Sequence, residues 1–208
     1  MHTNRLTVQA IVVGVLVLIF SACSVAPVAP TQTPSPTPID GIHPMTPPKA
    51  VRTFTLTDQD NNVFDTSALK GKWTLLAFGY THCPDVCPET LARFKQIKMA
   101  LAAAADKMNF VFIGVDSERD TPPVLKSYLA NFDKAFIGLT SDEQTLRGII
   151  PDFGVTFVKH QPDANGNYAV DHTAVSFLLN GDGQIEVFYS YGMDYDAMLA
   201  DVRAHVSG

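Results

Sequence analysis

The chain has 208 residues, a length that accommodates one ordinary domain together with additional segments. Its formal net charge is −6 and its sequence contains no basic patch, so the composition gives no support for nucleic-acid binding. Its three cysteines, Cys23, Cys83 and Cys87, are too few for a small fold held together by disulfides.

Residues 1–23 have the features of an export signal. A positively charged residue, Arg5, precedes a short apolar run over 10–20, and small residues precede Cys23. The run is shorter than the ~20 residues that span a bilayer comfortably. The pattern resembles a bacterial lipoprotein cleavage site, at which Cys23 becomes the lipidated first residue. An uncleaved membrane anchor and plain secretion are the alternatives. We expect a domain on the extracytoplasmic face of the bacterial cell membrane, anchored by a lipid or a helix.

Residues 24–48 are rich in proline and threonine and predict an extended linker. Such a segment cannot bury a core and tends towards polyproline II structure. We expect it to hold the following domain, residues 49–208, away from the membrane. His43 and Met45 lie within this segment, and we interpret them as solvated linker residues rather than metal ligands.

The domain shows the alternating pattern of an α/β protein. Periodicity and turn residues predict strands at 51–57, 63–65, 73–78, 109–115, 154–160, 168–179 and 184–189. Helical spacing and capping residues predict helices at 89–106, from 122 to about 131, from 141 to before Pro151, and at 193–206. This order predicts a mixed central sheet flanked by helices. With a cysteine pair after the first parallel strand, it favours a thioredoxin-like fold with an N-terminal β-hairpin extension.

The cysteine pair lies where a buried strand, 73–78, gives way to the helix at 89–106. Backbone N–H groups and the positive dipole end of a helix favour the thiolate form of cysteine. The four-residue step from Cys83 to Cys87 places the sulfurs about one helical turn apart, so they could form a disulfide or share a soft metal ion. A purely structural disulfide is disfavoured, because so short a loop gains little from cross-linking. A redox pair remains open, although such pairs are normally Cys-x-x-Cys.

His172 is the candidate third ligand. In a thioredoxin fold, the start of the C-terminal hairpin abuts the cysteine loop, and His172 occupies that start. Two thiolates and one imidazole suit copper, because thiolates select Cu(I) and imidazole binds either copper state. Structural zinc prefers four protein ligands. A satisfied buried histidine is the alternative for His172. We expect His82 to point away from the site because it adjoins Cys83.

Asp116 and Arg119 follow the strand at 109–115, at the sheet edge where α/β sites open. One interpretation makes them a partner-docking surface or a support for the cysteine loop. The other makes them a buried ion pair that fixes the loop.

Three motifs together resemble the Sco/SenC family. They are THCPDVCP at 81–88, VDSERDTP at 115–122 and DHT at 171–173, and the similarity covers about residues 50–206. The resemblance implies a thioredoxin-fold copper protein used in cytochrome c oxidase assembly. It implies that Cys83, Cys87 and His172 bind Cu(I) or Cu(II), and that Asp171 occupies a position that tunes the site.

The resemblance also implies the function and its first alternative, and a further class of function stays open beside them. The leading hypothesis is a membrane-tethered metallochaperone, not an enzyme, that delivers copper to the CuA centre of cytochrome c oxidase subunit II. Other periplasmic copper chaperones are further expected partners. The first alternative is a thiol-disulfide oxidoreductase that reduces the CuA-site cysteines with Cys83 and Cys87 as its redox pair. The second is a copper or redox sensor.

Overall fold

The computed structural model describes residues 41–207. The strands are β1 (Ile42–Ala50), β2 (Thr55–Asp58), β3 (Val63–Asp65), β4 (Trp73–Gly79), β5 (Met108–Gly114), β6 (Ile137–Thr140), β7 (Phe157–Lys159), β8 (Val170–His172), β9 (Val175–Leu179) and β10 (Gln184–Ser190). The helices are α1 (Val86–Leu101), α2 (Pro122–Leu129), α3 (Glu143–Phe153) and α4 (Tyr195–Ser207), with short 3-10 helices at Thr66–Leu69 and Ala102–Lys107. No helix within this range is both long and apolar enough to cross a membrane. The predicted export signal, with Cys23, lies outside the described residues.

Eight strands form one mixed sheet in the order β1-β10-β9-β4-β5-β6-β2-β3, while β7 and β8 form a separate two-stranded ribbon. The central strands β4, β5 and β6 are parallel and their neighbours are antiparallel. In β4 every residue after Trp73 is buried, as expected for a strand covered on both faces. This mixed sheet, flanked by helices and extended by the β2–β3 hairpin, confirms the predicted thioredoxin-like fold.

Helices α1 and α3 cover opposite faces of the sheet. Phe94 of α1 packs on Phe110 of β5, with ring centroids 6.3 Å apart, whereas Phe153 of α3 packs on Phe78 of β4 at 5.0 Å. Leu75 pairs with Phe110 across the two strands, and Phe78 is three residues further along β4. Because side chains alternate along a strand, Phe78 faces away from Phe110. The central strands are therefore enclosed, and only their ends can open a site.

The end of the predicted linker is a strand, which corrects the boundary drawn at residue 48. Strand β1 pairs antiparallel with β10 at the edge of the sheet. Its register jumps between Pro44 and Lys49, so the intervening prolines fall in an irregular stretch where no ladder hydrogen bond is required. Edge strands tolerate proline for this reason, since one row of their N–H groups has no partner strand.

His43 and Met45 are consequently part of the folded domain, so their assignment to the linker is wrong, although His43 is exposed to solvent. The His43 ring stacks on Phe188 with centroids 4.4 Å apart, and its Nε2 lies 3.0 Å from Ser190 Oγ. Met45 packs against the hydrophobic core.

Helix α3 continues through Pro151, although the sequence predicted that it would stop before this residue. Proline in a helix removes one backbone hydrogen bond, at a cost of about 3 kcal/mol. Here the last turn buries Ile150 and Phe153, and the helix closes at Gly154, whose φ of 68° allows its N–H to reach the carbonyls of Ile150 and Pro151. Burial of the final turn therefore offsets the unfavourable proline.

The extended segment predicted at 168–179 is divided in two. β8 leaves the main sheet and pairs with β7, and β9 begins three residues after β8 ends and pairs with β4 and β10. Residues 173 and 174 separate the two strands. This division places His172 on the ribbon rather than on the main sheet.

Strands β4 and β5 each end in a glycine, and the two glycines are paired. Gly79 of β4 lies opposite Gly114 of β5. A Cβ at Gly79 would lie 2.7 Å from Cys87 Sγ and 2.7 Å from Phe112 Cε2, and a Cβ at Gly114 would lie 3.0 Å from Asp120 Oδ2. The absence of side chains at these positions lets a cysteine sulfur and a carboxylate pack directly against the strand ends.

We predict that Gly79→Ala destabilises the domain by about 1–3 kcal/mol, because its methyl group overpacks a buried site. Gly148→Ala in α3 is the matched control, since a Cβ there meets no atom of the described residues within 4 Å. We expect it to stabilise the domain by about 0.5–1 kcal/mol through helix propensity. Urea unfolding of both variants measures the difference, and equal stability of the two variants would contradict the packing argument.

Candidate metal centre

The two cysteines occupy different environments at the start of α1. Cys87 lies in the first turn of the helix and is buried, whereas Cys83 lies in the preceding loop and is half-buried. The backbone N–H of Cys87 points at Cys83 Sγ at 3.5 Å. The backbone N–H of Cys83 in turn donates to the Tyr80 carbonyl at 3.2 Å. Both thiols are free, so hydrogen bonds and not a disulfide hold the loop.

His172 approaches the cysteines from the ribbon. Its Nε2 lies 3.4 Å from Cys87 Sγ, and its Nδ1 lies 3.2 Å from the Thr173 carbonyl oxygen. Because a carbonyl oxygen only accepts, Nδ1 carries the proton and Nε2 directs its lone pair towards the sulfur. The Tyr80 ring meets the imidazole edge-on, with centroids 6.1 Å apart. Burial lowers the pKa of His172, which favours the neutral ring that a metal requires.

Cys83, Cys87 and His172 together form a candidate metal site. One ligand atom from each lies within 4.8 Å of the others, and residues 41–207 contain no other such group of three or more His, Cys, Asp or Glu side chains. Two sulfurs and one imidazole nitrogen are a donor set suited to copper. The hydrogen bond from Nδ1 to a carbonyl is the usual way in which a ligating histidine is oriented. The residues present therefore fit a copper ion.

The expectation that the helix end favours thiolates is wrong for Cys87. Burial raises the pKa of the Cys87 thiol, and the nearby Cys83 adds to the increase. In this buried position, the loss of solvation outweighs the favourable helix dipole. Because a coordinated thiol is deprotonated by the metal, binding of copper releases a proton from this sulfur.

Asp116 and Arg119 form an ion pair in which the carboxylate is fully buried and the guanidinium is half-buried. Asp116 is fully buried, and the hydroxyl of Tyr168 donates to its Oδ1 at 2.8 Å. Although burial opposes ionisation, the hydrogen bonds from Tyr168 and Arg119 hold the pKa of Asp116 below its usual range. The Arg119 guanidinium stacks over Tyr168 at 3.5 Å and faces the Tyr80 ring at 5.8 Å. Tyr80 in turn packs on His172. This geometry favours an ion pair that fixes the site from within over a surface that docks a partner.

Asp171 and His82 stand apart from the three candidate ligands. The Asp171 side chain is 76% exposed, and its Oδ2 lies 2.8 Å from His160 Nε2. It extends from the opposite side of β8 to His172, so only its charge reaches the site, where it partly opposes the lowering of the His172 pKa by burial. His82 is exposed, and its Nδ1 lies 3.1 Å from Thr81 Oγ1.

Sequence reasoning missed Asp120 as a functional candidate. Its side chain is fully buried, and its Oδ1 accepts hydrogen bonds from the Thr81 backbone N–H at 3.0 Å and from the Thr81 hydroxyl at 2.7 Å. Burial raises the pKa of Asp120 to about 6. Its position after the central strand β5 could have identified it from the sequence, because polar residues that follow parallel strands gather at the sheet edge where sites form.

We predict that the metal-free wild type loses stability relative to Asp120→Asn as the pH rises from 4 to 7. The raised pKa means that the native state holds its proton more tightly than the unfolded state, so ionisation favours unfolding. The difference between the usual 3.8 and about 6 corresponds to about 3 kcal/mol. Urea unfolding at several pH values measures this difference in stability.

Asp142→Asn provides the control for this prediction. Asp142 is an exposed helix cap whose pKa is lowered by hydrogen bonds from Thr145. Its ionisation therefore stabilises the native state, and we expect no decline of the wild type relative to this variant over the same range. Parallel stability curves for wild type and Asp120→Asn would show that Asp120 titrates normally.

Comparison with known proteins identifies the family. A family model described as SCO1/SenC matches residues 43–207. A SCO2-like protein of Rickettsia felis is 38% identical over 138 residues, which are 65% of this chain and 67% of the relative.

Solved structures give the same result. The copper-bound structure of Bradyrhizobium japonicum ScoI is 39% identical, with a TM-score of 0.68, and the match covers 75% of this chain and 99% of that one. The copper-bound structure of Arabidopsis thaliana ScoI is 30% identical, with a TM-score of 0.70, over 76% and 98% of the two chains. These matches agree with the thioredoxin-like fold described above. The chain belongs to the SCO1/SenC family.

Proposed function

We propose that this protein is a membrane-tethered copper metallochaperone that binds one copper ion through Cys83, Cys87 and His172. The observation that carries the proposal is the convergence of two sulfurs and one imidazole nitrogen within 4.8 Å. Relatives of 39% and 30% identity have structures with copper bound, which supports the same ion here. The copper is cargo, to be received and passed on, in the assembly of the CuA centre of cytochrome c oxidase subunit II.

The unequal burial of the ligands supports transfer rather than storage. Cys87 is buried, whereas Cys83 and His172 are only half-buried. Three protein ligands leave room for an incoming ligand on the metal, in contrast to a closed four-ligand site. A thiol of the acceptor can therefore approach from the side of Cys83 while Cys87 still holds the ion.

The proposed location follows from the sequence of the N-terminal segment. A lipid on Cys23, or an uncleaved apolar anchor, would hold the domain at the extracytoplasmic face of the bacterial cell membrane. We expect the CuA domain of subunit II to be the acceptor there, and other periplasmic copper chaperones to supply the ion. The tether would keep the protein close to this membrane-bound partner.

We predict that the reduced full-length protein, titrated with Cu(II), develops a thiolate-to-copper charge-transfer band that saturates at one equivalent. Replacing His172 by alanine removes the nitrogen ligand, so the band should be lost or strongly weakened. His160→Ala is the matched control, because His160 directly follows β7 of the ribbon but contacts Asp171 instead of the sulfurs. A His172→Ala variant that keeps the wild-type band would exclude His172 as a ligand.

A thiol-disulfide oxidoreductase is the second candidate, and the position of the sulfurs favours it. The half-buried Cys83 can attack a substrate disulfide, and the sulfur of the buried Cys87, within 4.8 Å of Cys83 Sγ, lies close enough to resolve the mixed disulfide. Two thiols of this protein would be oxidised to a disulfide while the CuA-site disulfide is reduced to two thiols. A sensor would bind copper without transferring it to an acceptor.

We predict that, if this reductase activity exists, the copper-free protein reduces a disulfide-bonded CuA-site peptide. The Cys87→Ser variant should then accumulate a mixed disulfide through Cys83, because the resolving thiol is missing. Mass spectrometry detects this adduct, and Cys83→Ser should form none. No reduction by the wild type at neutral pH would exclude the reductase, whereas copper transfer to a metal-free CuA domain would exclude the sensor.

A further inference from the structure

The turn that carries Cys83 rests on a buried carboxylate. Asp120 is fully buried beneath the loop between β4 and α1, and one of its oxygens, Oδ1, receives both hydrogen bonds from Thr81. The carboxylate packs against the end of β5, where the Cβ of any residue other than Gly114 would lie 3.0 Å from Oδ2. The carboxylate is therefore bonded to the loop on one side and packed against the end of β5 on the other.

This carboxylate is costly for the fold. Transfer of a charged group into the interior is unfavourable unless it is paired. The neighbouring cation, Arg119, is engaged by Asp116, and Asp120 Oδ2 finds no hydrogen-bond partner in the part of the chain that the structure describes. An apolar residue of similar volume would fill the same space but would leave the Thr81 N–H without its acceptor. The reason for a carboxylate at this position therefore lies in the hydrogen bonds that it accepts.

The hydrogen bonds of Thr81 connect Asp120 to Cys83 through one peptide group. The N–H of the peptide between Tyr80 and Thr81 donates to Asp120, and the carbonyl of the same peptide accepts the N–H of Cys83 at 3.2 Å. A peptide group is planar, so fixing its N–H also fixes the direction of its carbonyl. Asp120 therefore determines where the backbone of Cys83 is held.

We propose that Asp120 is a positioning residue that sets the place of Cys83 Sγ relative to Cys87 and His172, and thereby the retention of copper. The proposal rests on the proposed copper function of the same three ligands. Asp120 itself does not touch the metal. It acts on the half-buried thiol, the ligand that an acceptor would displace, through Thr81.

A purely structural role for Asp120 is the competing explanation. Asp120 precedes Thr121, the residue at the N-terminal cap of α2, and its own N–H bonds to the Asp116 carbonyl at 2.8 Å. If Asp120 served only to start this helix, its loss would reduce stability and leave the copper site unchanged. The two explanations therefore differ in the behaviour of bound copper, not in stability.

The test measures how fast Cu(I)-loaded protein loses its metal to a competing chelator. Asp120→Ala removes the acceptor of both bonds and Thr81→Val removes one donor, whereas Asp120→Asn keeps an acceptor oxygen. We expect about tenfold or faster loss from Asp120→Ala, a smaller acceleration in Thr81→Val, and near wild-type retention in Asp120→Asn. Wild-type rates in both Asp120→Ala and Thr81→Val would overturn the proposal.

The chain offers a matched control in Asp142. Its carboxylate also accepts two hydrogen bonds from a single threonine, the N–H of Thr145 at 2.9 Å and the hydroxyl of Thr145 at 2.8 Å, but it does so at the cap of α3. We expect Asp142→Ala to lower the urea midpoint without accelerating copper loss. Equal acceleration in this variant would assign the effect to general destabilisation and overturn the proposal.

A metal-free measurement separates this proposal from the proposed function. The alkylation rate of Cys83, followed by peptide mass spectrometry, reports the position of its thiol without copper. We expect Asp120→Ala to change this rate by several-fold, Thr81→Val to change it less because its backbone N–H still donates, and Asp142→Ala to leave it unchanged. Failure of the wild type to bind copper would refute the proposed function, and an unchanged Cys83 rate in both Asp120→Ala and Thr81→Val would refute the positioning role. If Asp120→Ala does not fold, Thr81→Val decides both measurements.

Discussion

The site depends on the parallel pairing of β4 and β5, because this pairing brings their carboxyl ends to the same edge of the sheet. Gly79 and Gly114 lie opposite each other at that edge. The chain after Gly79 carries the cysteines, and the chain after Gly114 carries Asp116, Arg119 and Asp120. Two segments that are distant in sequence are thus fixed side by side by backbone hydrogen bonds of the core. The two glycines allow this contact to be close, since a Cβ on either would collide with Cys87 or Asp120.

The same edge concentrates the buried charge of the domain. Asp116 and Asp120 are both fully buried, yet they are stabilised differently. Asp116 has a cation and a phenol as partners, so burial does not prevent its ionisation. Asp120 has only the uncharged donors of Thr81, so its carboxyl retains a proton more readily. One carboxylate therefore supports His172 through Arg119 and Tyr80, while the other supports Cys83 at a cost in stability.

Much of this arrangement could be predicted from the sequence, because it follows from local patterns. The apolar runs of β4 and β5, the cap of α3 at Asp142 and the start of α2 at Pro122 are encoded in adjacent residues. The proximity of His172 to the cysteine loop followed from the fold once the strand order was recognised. Its pairing with Cys87 spans 85 residues, but the topology of the fold supplies it.

Features that depend on tertiary contacts could not be predicted in this way. The proline-rich composition of 42–48 indicates a linker, and only the partner strand β10 converts it into β1. The hydrogen bond between the Thr81 hydroxyl and Asp120 joins residues 39 positions apart, and neither local sequence predicts it. The raised pKa of Cys87 is likewise a consequence of burial, which competes with the helix dipole and outweighs it. In each case, packing overrides a local preference.

The separation of the ligands between a local pair and a distant ribbon has a thermodynamic consequence. Cys83 and Cys87 are four residues apart, so an unfolded chain can still offer both sulfurs to a soft metal. His172, 85 residues beyond Cys87, joins them only when the sheet and the ribbon are formed. A ligand stabilises a fold only by the difference between its affinities for the native and the unfolded chain. Because the unfolded chain also binds copper, the ion would stabilise this domain by much less than its total binding free energy. Most of the stabilisation of the fold by copper would come from the bond to His172, the ligand that only the native chain supplies.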